Sequence, residues 1–114
     1  MTDNLPKEEI FEKVVNSLLS NNSLSWEKLA NGYKCSREKP KQEFVLWNHP
    51  VDGVIYRDSI IFTITTADHK WEWEIRDGLF NKEQYNLIRK LYDKAELNYN
   101  NSKIKEMQNI INSL

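Results

Sequence analysis

Cysteine is nearly absent. Cys35 stands alone in 114 residues, so no internal disulfide can form, and a small secreted scaffold stapled by cysteine pairs is excluded. A reducing, cytoplasmic setting is the expectation. Glycine is as scarce: Gly32, Gly53 and Gly78 each fall at an expected turn. None is left for a phosphate-cradling loop or a Gly-x-Ser-x-Gly nucleophile elbow. No apolar run approaches the roughly 20 residues of a membrane span; the longest, over 60–64, is strand-sized. The opening residues 1–9 are polar, acidic and interrupted by Pro6, unlike a signal peptide. Excess charge of one sign is missing as well. Sixteen Lys and Arg face seventeen Asp and Glu, net −1, which argues against a general polyanion binder while leaving room for a local patch.

Metal-ligand spacing is also missing. His49 and His69 lie 20 residues apart, and nothing resembles Cys-x-x-Cys or His-Glu-x-x-His. No metal or cofactor is expected, nor enzymatic activity. What chemistry could be imagined reduces to a Cys35–His pair as nucleophile and base, or a pocket under Trp47, His49 and Tyr56.

What is present is order. With 39% hydrophobic and 29% charged residues, the composition is that of a globular protein, and the length suits a single domain over 1–114. Asn, Lys and Ile, all with AT-rich codons, supply 35 of the 114 residues, a bias expected of a low-GC genome, its phages or mobile elements.

Ile10, Phe11, Val14, Val15, Leu18 and Leu19 form a broad stripe at helical spacing behind Pro6, and predict a helix over about 6–20. Ser23 or Ser25 as cap, Trp26 and Leu29 as apolar face and Asn31-Gly32 as stop predict a short helix over about 24–31. Residues 33–35 read as a short strand and 36–42, polar and containing Pro40, as a loop. From about 43 to 76 the pattern is β. Phe44 to Trp47 is one run, 54–66 one bent strand or two broken at Arg57-Asp58, and 67–69 a hairpin loop. Lys70 to Arg76 alternates strictly, as a half-buried antiparallel strand does. Asn81 is a candidate cap for a helix over about 82–97. Asn98, Asn100 and Asn101 interrupt it, and Ser102 caps a last helix over about 102–113. The expected class is α+β: a three- to four-stranded antiparallel meander with the helices mainly on one face. Trp71, Trp73 and Ile75 are expected to form core with Phe11, Val14 and Leu18.

Charge is uneven along the chain. Residues 43–75 carry two basic and six acidic side chains, net −4, between segments of +1 and +2. Alternation puts Glu72 and Glu74 on the face opposite Trp71 and Trp73, beside Thr63 and Thr65. Trp47 sits in a run apolar on both sides, so it either lies under a cover or marks a contact surface. These features favour a non-enzymatic protein-binding module, a regulator, inhibitor or immunity-type protein. Glu72, Glu74, Thr63, Thr65 and Trp47 would meet a basic protein partner. The alternative is a nucleic-acid-binding accessory domain using Lys34, Arg37, Lys39 and Lys41 with the C-terminal helices. A final stripe, Ile104, Met107, Ile110, Ile111 and Leu114, needs a cover: its own domain, or a partner chain such as a second copy in a homodimer.

Overall fold

The structure, a computed structural model, describes residues 7–50, 58–77 and 82–114. The elements are α1 (Lys7–Ser20), β1 (Glu27–Leu29), β2 (Gly32–Glu38), β3 (Lys41–Pro50), β4 (Asp58–Thr66), β5 (Lys70–Arg76) and α2 (Lys82–Ser113). The strands form one five-stranded antiparallel sheet in sequence order, β1-β2-β3-β4-β5. The class is α+β, with a larger sheet than the sequence suggests. The expected cap Asn81, and residues 54–57 of the undecided strand, lie outside the described residues.

Both helices pack on one face of the sheet. Phe11, Val15 and Leu18 from α1 and Tyr85, Ile88, Leu91, Tyr92 and Ala95 from α2 share a core with the inward residues of β2 to β5. The expected core alternation on β5 holds for Trp73 and Ile75, which are buried. Phe62 is stacked on Trp73 with ring centroids at 5.7 Å, and the Phe11 ring lies 5.9 Å from Trp73. Trp71 is half-buried at the end of the layer and stacks on His69 at 5.3 Å.

Three expectations fail for identifiable reasons. The helix expected over 24–31 is the strand β1, joined to β2 through Ala30 and Asn31, with Leu29 opposite Gly32. A helix so short costs more to nucleate than its few hydrogen bonds return, whereas the same residues extend an existing sheet edge. Asn31-Gly32 is therefore a hairpin signal, not a helix stop. The loop expected over 36–42 is the end of a hairpin: β2 runs to Glu38, β3 starts at Lys41, and only Lys39 and Pro40, joined by a cis peptide bond, form the turn. Ser36, Arg37 and Glu38 are exposed, so this stretch carries no apolar alternation to read.

The two C-terminal helices are one, 32 residues long and about 48 Å from end to end at 1.5 Å per residue. Asn98 does not break it, because its half-buried side chain is turned toward the segment before β1, where its Oδ1 accepts the Trp26 backbone N–H at 3.0 Å. Without Gly or Pro, the asparagines cost helix propensity only by tenths of a kcal/mol each. Tyr33 on β2 ties the middle of α2 down: its ring is edge-on to Tyr92 at 5.3 Å and 6.0 Å from Tyr99, and its hydroxyl donates to Glu96 at 3.5 Å. Burial first, and then the Glu96 carboxylate, push the Tyr33 hydroxyl above the ordinary tyrosine value. Lys94 closes the C-terminal end of α1, which has no basic residue in its own last turn. Its ammonium donates to the Leu19 carbonyl, to Asn22 Oδ1 at 3.0 Å and to the Asn21 carbonyl at 3.4 Å. A cation there completes carbonyls the helix leaves open.

Cys35, on the inward face of β2, is buried. Burial pushes its thiol from 9.0 up to about 12, against a lowering pull from Arg37. The thiolate is thus disfavoured in the native state, and a nucleophilic role has no support. Below pH 9 the thiol is protonated whether the chain is folded or not. Above it the unfolded chain ionises first, so stability falls as pH rises from about 9 toward 12. Iodoacetamide at pH 8 is expected to leave Cys35 unmodified in native protein and to label it fully in denaturant, as read by intact mass. Rapid native labelling would contradict the placement.

Candidate binding surface

The face of the sheet turned away from the helices is assembled by register. Residues directly opposite in neighbouring antiparallel strands point the same way, so the pairings define rows across the five strands. One row reads Glu27, Lys34, Val45, Thr63, Glu72; the next reads Leu29, Gly32, Trp47, Ile61, Glu74. A third reads Ser36, Glu43, Thr65, Lys70. The expected residues Glu72, Glu74, Thr63, Thr65 and Trp47 are therefore brought to one face, within two strands of one another.

The row through Trp47 is apolar up to Glu74 at its β5 end, while the first row carries charges at both ends and Glu43 and Lys70 stand in the third. Trp47 is 37% exposed, the only tryptophan among the exposed large hydrophobics, and Ile61 and Leu29 in its row are half-buried. Gly32 has no side chain to shade the indole from the β2 side. Val45 and Thr63 are only 8% and 6% exposed, although they belong to the outward rows: they are short residues overshadowed by longer neighbours. Thr63 thus supports the surface from beneath, and Thr65 is the threonine that reaches solvent more freely.

The charges need correction. The −4 of residues 43–75 draws on Asp52, Asp58 and Asp68. Asp68 is in the β4–β5 turn, Asp58 is at the start of β4, and Asp52 lies outside the described residues. The outward positions of the strands hold Glu27, Glu38, Glu43, Glu72 and Glu74 against Lys34, Lys41, Lys70 and Arg76, close to balance. Lys34 pairs with Glu27 at 3.8 Å. Glu74 accepts from Ser59 Oγ at 3.2 Å and from Arg76 Nε at 3.4 Å. Glu72 is exposed and makes no ion pair or hydrogen bond among the described residues. The charge free to meet a partner is local, centred on Glu72 at the β5 edge.

The four cations of the alternative reading are not brought together. Lys34 is on the outward face in its pair with Glu27, and Lys41 is opposite Glu38 at the hairpin end. Lys39 is in the turn, and Arg37, opposite Gln42, points to the helix side. There Arg37 lines a half-open cleft of about 380 Å³ between α1 and the sheet, with Lys13, Phe44, Ile64 and Trp71. The side chain of His49, and all of Tyr56, lie outside the described residues. Among the described residues no three His, Cys, Asp or Glu groups converge on a metal-sized site, and no helix is long and apolar enough to cross a membrane.

What sequence reading missed was Ile61, Leu29 and Gly32, the row that frames Trp47. The signal for Ile61 was its parity with Thr63 and Thr65 on one strand. Leu29 carried none, because its strand was read as a helix. Comparison with protein families, curated proteins and solved structures yields no significant match.

Proposed function

We propose that this chain is a non-enzymatic protein-binding module, a regulator, inhibitor or immunity-type protein, that meets its partner with the outward face of the sheet. The observation that carries the reading is the row through Trp47: an exposed indole between Leu29 and Ile61, closed at the β5 end by the Glu74 carboxylate and rimmed in the neighbouring rows by charges of both signs. An aromatic anchor within a polar rim is the usual anatomy of a protein–protein contact. Glu72, Glu74 and Thr65 beside it favour a partner with a basic patch at that edge. Pairing with a second copy through α2 would leave this surface free, since α2 packs on the opposite face of the sheet.

Glu72→Lys with Glu74→Lys should leave the fold intact, because both side chains are exposed and the Glu74 contacts to Ser59 and Arg76 that it removes lie at the sheet edge. The same change should slow association with the partner, since a charge at the rim acts mainly on encounter. Binding is measured by surface plasmon resonance against a partner recovered by affinity capture from the native source. A lower on-rate and a steep salt dependence are expected. Unchanged binding by this variant, together with loss of binding in Lys39→Glu with Lys41→Glu, would place the contact on the hairpin end and favour nucleic-acid or hairpin-mediated recognition.

A further inference from the structure

The last third of α2 touches nothing. Tyr99 is the final side chain packed against the core, and every residue from 100 to 114 is exposed. The helix nevertheless continues to Ser113, so the molecule reaches 57 Å in its longest direction. Its radius of gyration is 16.1 Å, against roughly 13 Å for a compact chain of this length. This arm is not polar all round. Leu97, Ile104, Met107, Ile110, Ile111 and Leu114 are each more than half exposed, from 51% at Ile104 to 98% at Leu114.

These residues follow a heptad. With Leu97, Ile104 and Ile111 as a positions, Met107 and Leu114 fall at d, Ile110 at g and Asn100 at the remaining d. At about 100° per residue this seam lies roughly 120° around the helix from the face of Tyr85, Ile88, Leu91, Tyr92 and Ala95. It is therefore not a continuation of the stripe that docks on the sheet, and near Leu97 it points away from the globular body. No charged side chain occupies a or d. At the flanks Lys103 is already engaged within its own helix, paired with Glu106 at 3.0 Å and lying 5.6 Å from the Tyr99 ring centroid. No like charges oppose self-pairing.

We propose that the arm pairs with the arm of a second copy of this chain, in parallel and in register, as a short two-stranded coiled coil. Composition sets the orientation. Isoleucine at a with Leu or Met at d is the combination that favours parallel two-stranded pairing. In register, Asn100 meets Asn100 of the second copy, and the two amides satisfy each other. In the antiparallel arrangement that sets Leu97 against Leu114, Asn100 would be buried against Ile111 with no partner, a costly loss. Size is consistent with a second copy as occupant. At roughly 60–120 Å² of apolar surface per fully exposed side chain, the six present about 350 Å² per chain. Two copies with their flanks then approach the roughly 1,200 Å² lower bound of specific interfaces. The arm also needs the contact, since an Asn-rich helical stretch of this length is marginal in water by itself.

Sedimentation equilibrium of the full chain between about 1 and 500 µM should show mass rising toward twice 13.6 kDa. Ile104→Asp with Ile111→Asp touches no residue of the body. It should weaken dimerisation at least about 100-fold, as two desolvated charges in a small seam must, while near-ultraviolet circular dichroism of the body stays unchanged. Leu114→Cys should form an intermolecular disulfide on mild oxidation, because parallel pairing places the two d positions side by side; the buried Cys35 does not compete. Glu72→Lys with Glu74→Lys should leave dimerisation untouched, which separates this contact from the sheet face. A monomer at every concentration, dimerisation unaffected by the double aspartate variant, or dimerisation lost on reversing Glu72 and Glu74 would overturn the arm as the site of pairing. A dimer in which Leu114→Cys fails to cross-link would overturn the parallel register.

Discussion

Trp73→Ala is expected to cost about 3–5 kcal/mol of stability, the range of large aromatic truncations in a core. The indole is one of three aromatic rings that join the α1 layer to the sheet: Phe62 stacks on it, Phe11 tilts against it, and Phe11 meets Phe62 edge-on at 6.1 Å. Removing the middle ring leaves a void that Phe62, itself fully buried, cannot fill without giving up its place opposite Leu46. Trp73→Phe should be far milder. The Trp73 Nε1–H is buried and finds no acceptor among the described residues, so phenylalanine gives up volume but also removes an unsatisfied donor. Urea denaturation followed by far-ultraviolet circular dichroism separates the two. The midpoint should fall steeply for alanine and much less for phenylalanine. Equal losses would show that the indole N–H has a partner worth as much as the ring.

Gly32→Ala is expected to be as damaging for a different reason. No glycine among the described residues has a positive φ, so the requirement is not conformational. It is space. A Cβ on Gly32 would sit 1.8 Å from the Leu46 carbonyl oxygen and 2.8 Å from its carbonyl carbon. Those are backbone atoms in the centre of the sheet and cannot rotate aside. The β1–β2 turn is held to β3 at the same place, where the Asn48 N–H donates to the Asn31 carbonyl at 2.7 Å. Relief requires β2 and β3 to separate around the Gly32–Trp47 pair. Overpacking of this kind costs about 1–3 kcal/mol and more when the neighbour is rigid. Against a total stability of roughly 5–15 kcal/mol for a domain, the variant should melt well below the parent in calorimetry. An unchanged melting temperature would mean that the strands are farther apart here.

The legibility of this fold in its sequence followed the physics of each segment. α1 and β5 were readable because each pairs a period with a single buried face: Phe11, Val15 and Leu18 on one, Trp73 and Ile75 on the other. The hairpin of β2 and β3 was not, because its exposed end has nothing to bury and so no pattern. β1 failed because Trp26 and Leu29 fit three-residue helical spacing, yet Leu29 is paired opposite Gly32 in the sheet and the Trp26 N–H is taken by Asn98 of α2, both non-local facts. The asparagines of α2 misled in the same way. Residue type alone cannot show that the Asn98 amide is occupied by the Trp26 N–H. For the binding surface, alternation set Glu72 and Glu74 beside Thr63 and Thr65, but the side taken by Trp47, in a run apolar on both faces, and the charge balance required register. Lys34 on β2, Lys41 at the start of β3 and Arg76 at the end of β5 all come to that side from outside 43–75, and of the four outward cations a sum over that segment counts only Lys70.

The proposed contact between the face around Trp47 and a protein partner would change the solvent access of the indole. Hydroxyl-radical footprinting of the captured complex, read by mass spectrometry at Trp47 and Ile61, tests it most directly. Trp47 is expected to oxidise readily in the free protein and to be protected in the complex, with Lys39 and Pro40 unchanged. Trp47 oxidising equally in both states, with protection confined to the 38–41 hairpin end, would contradict the proposed contact.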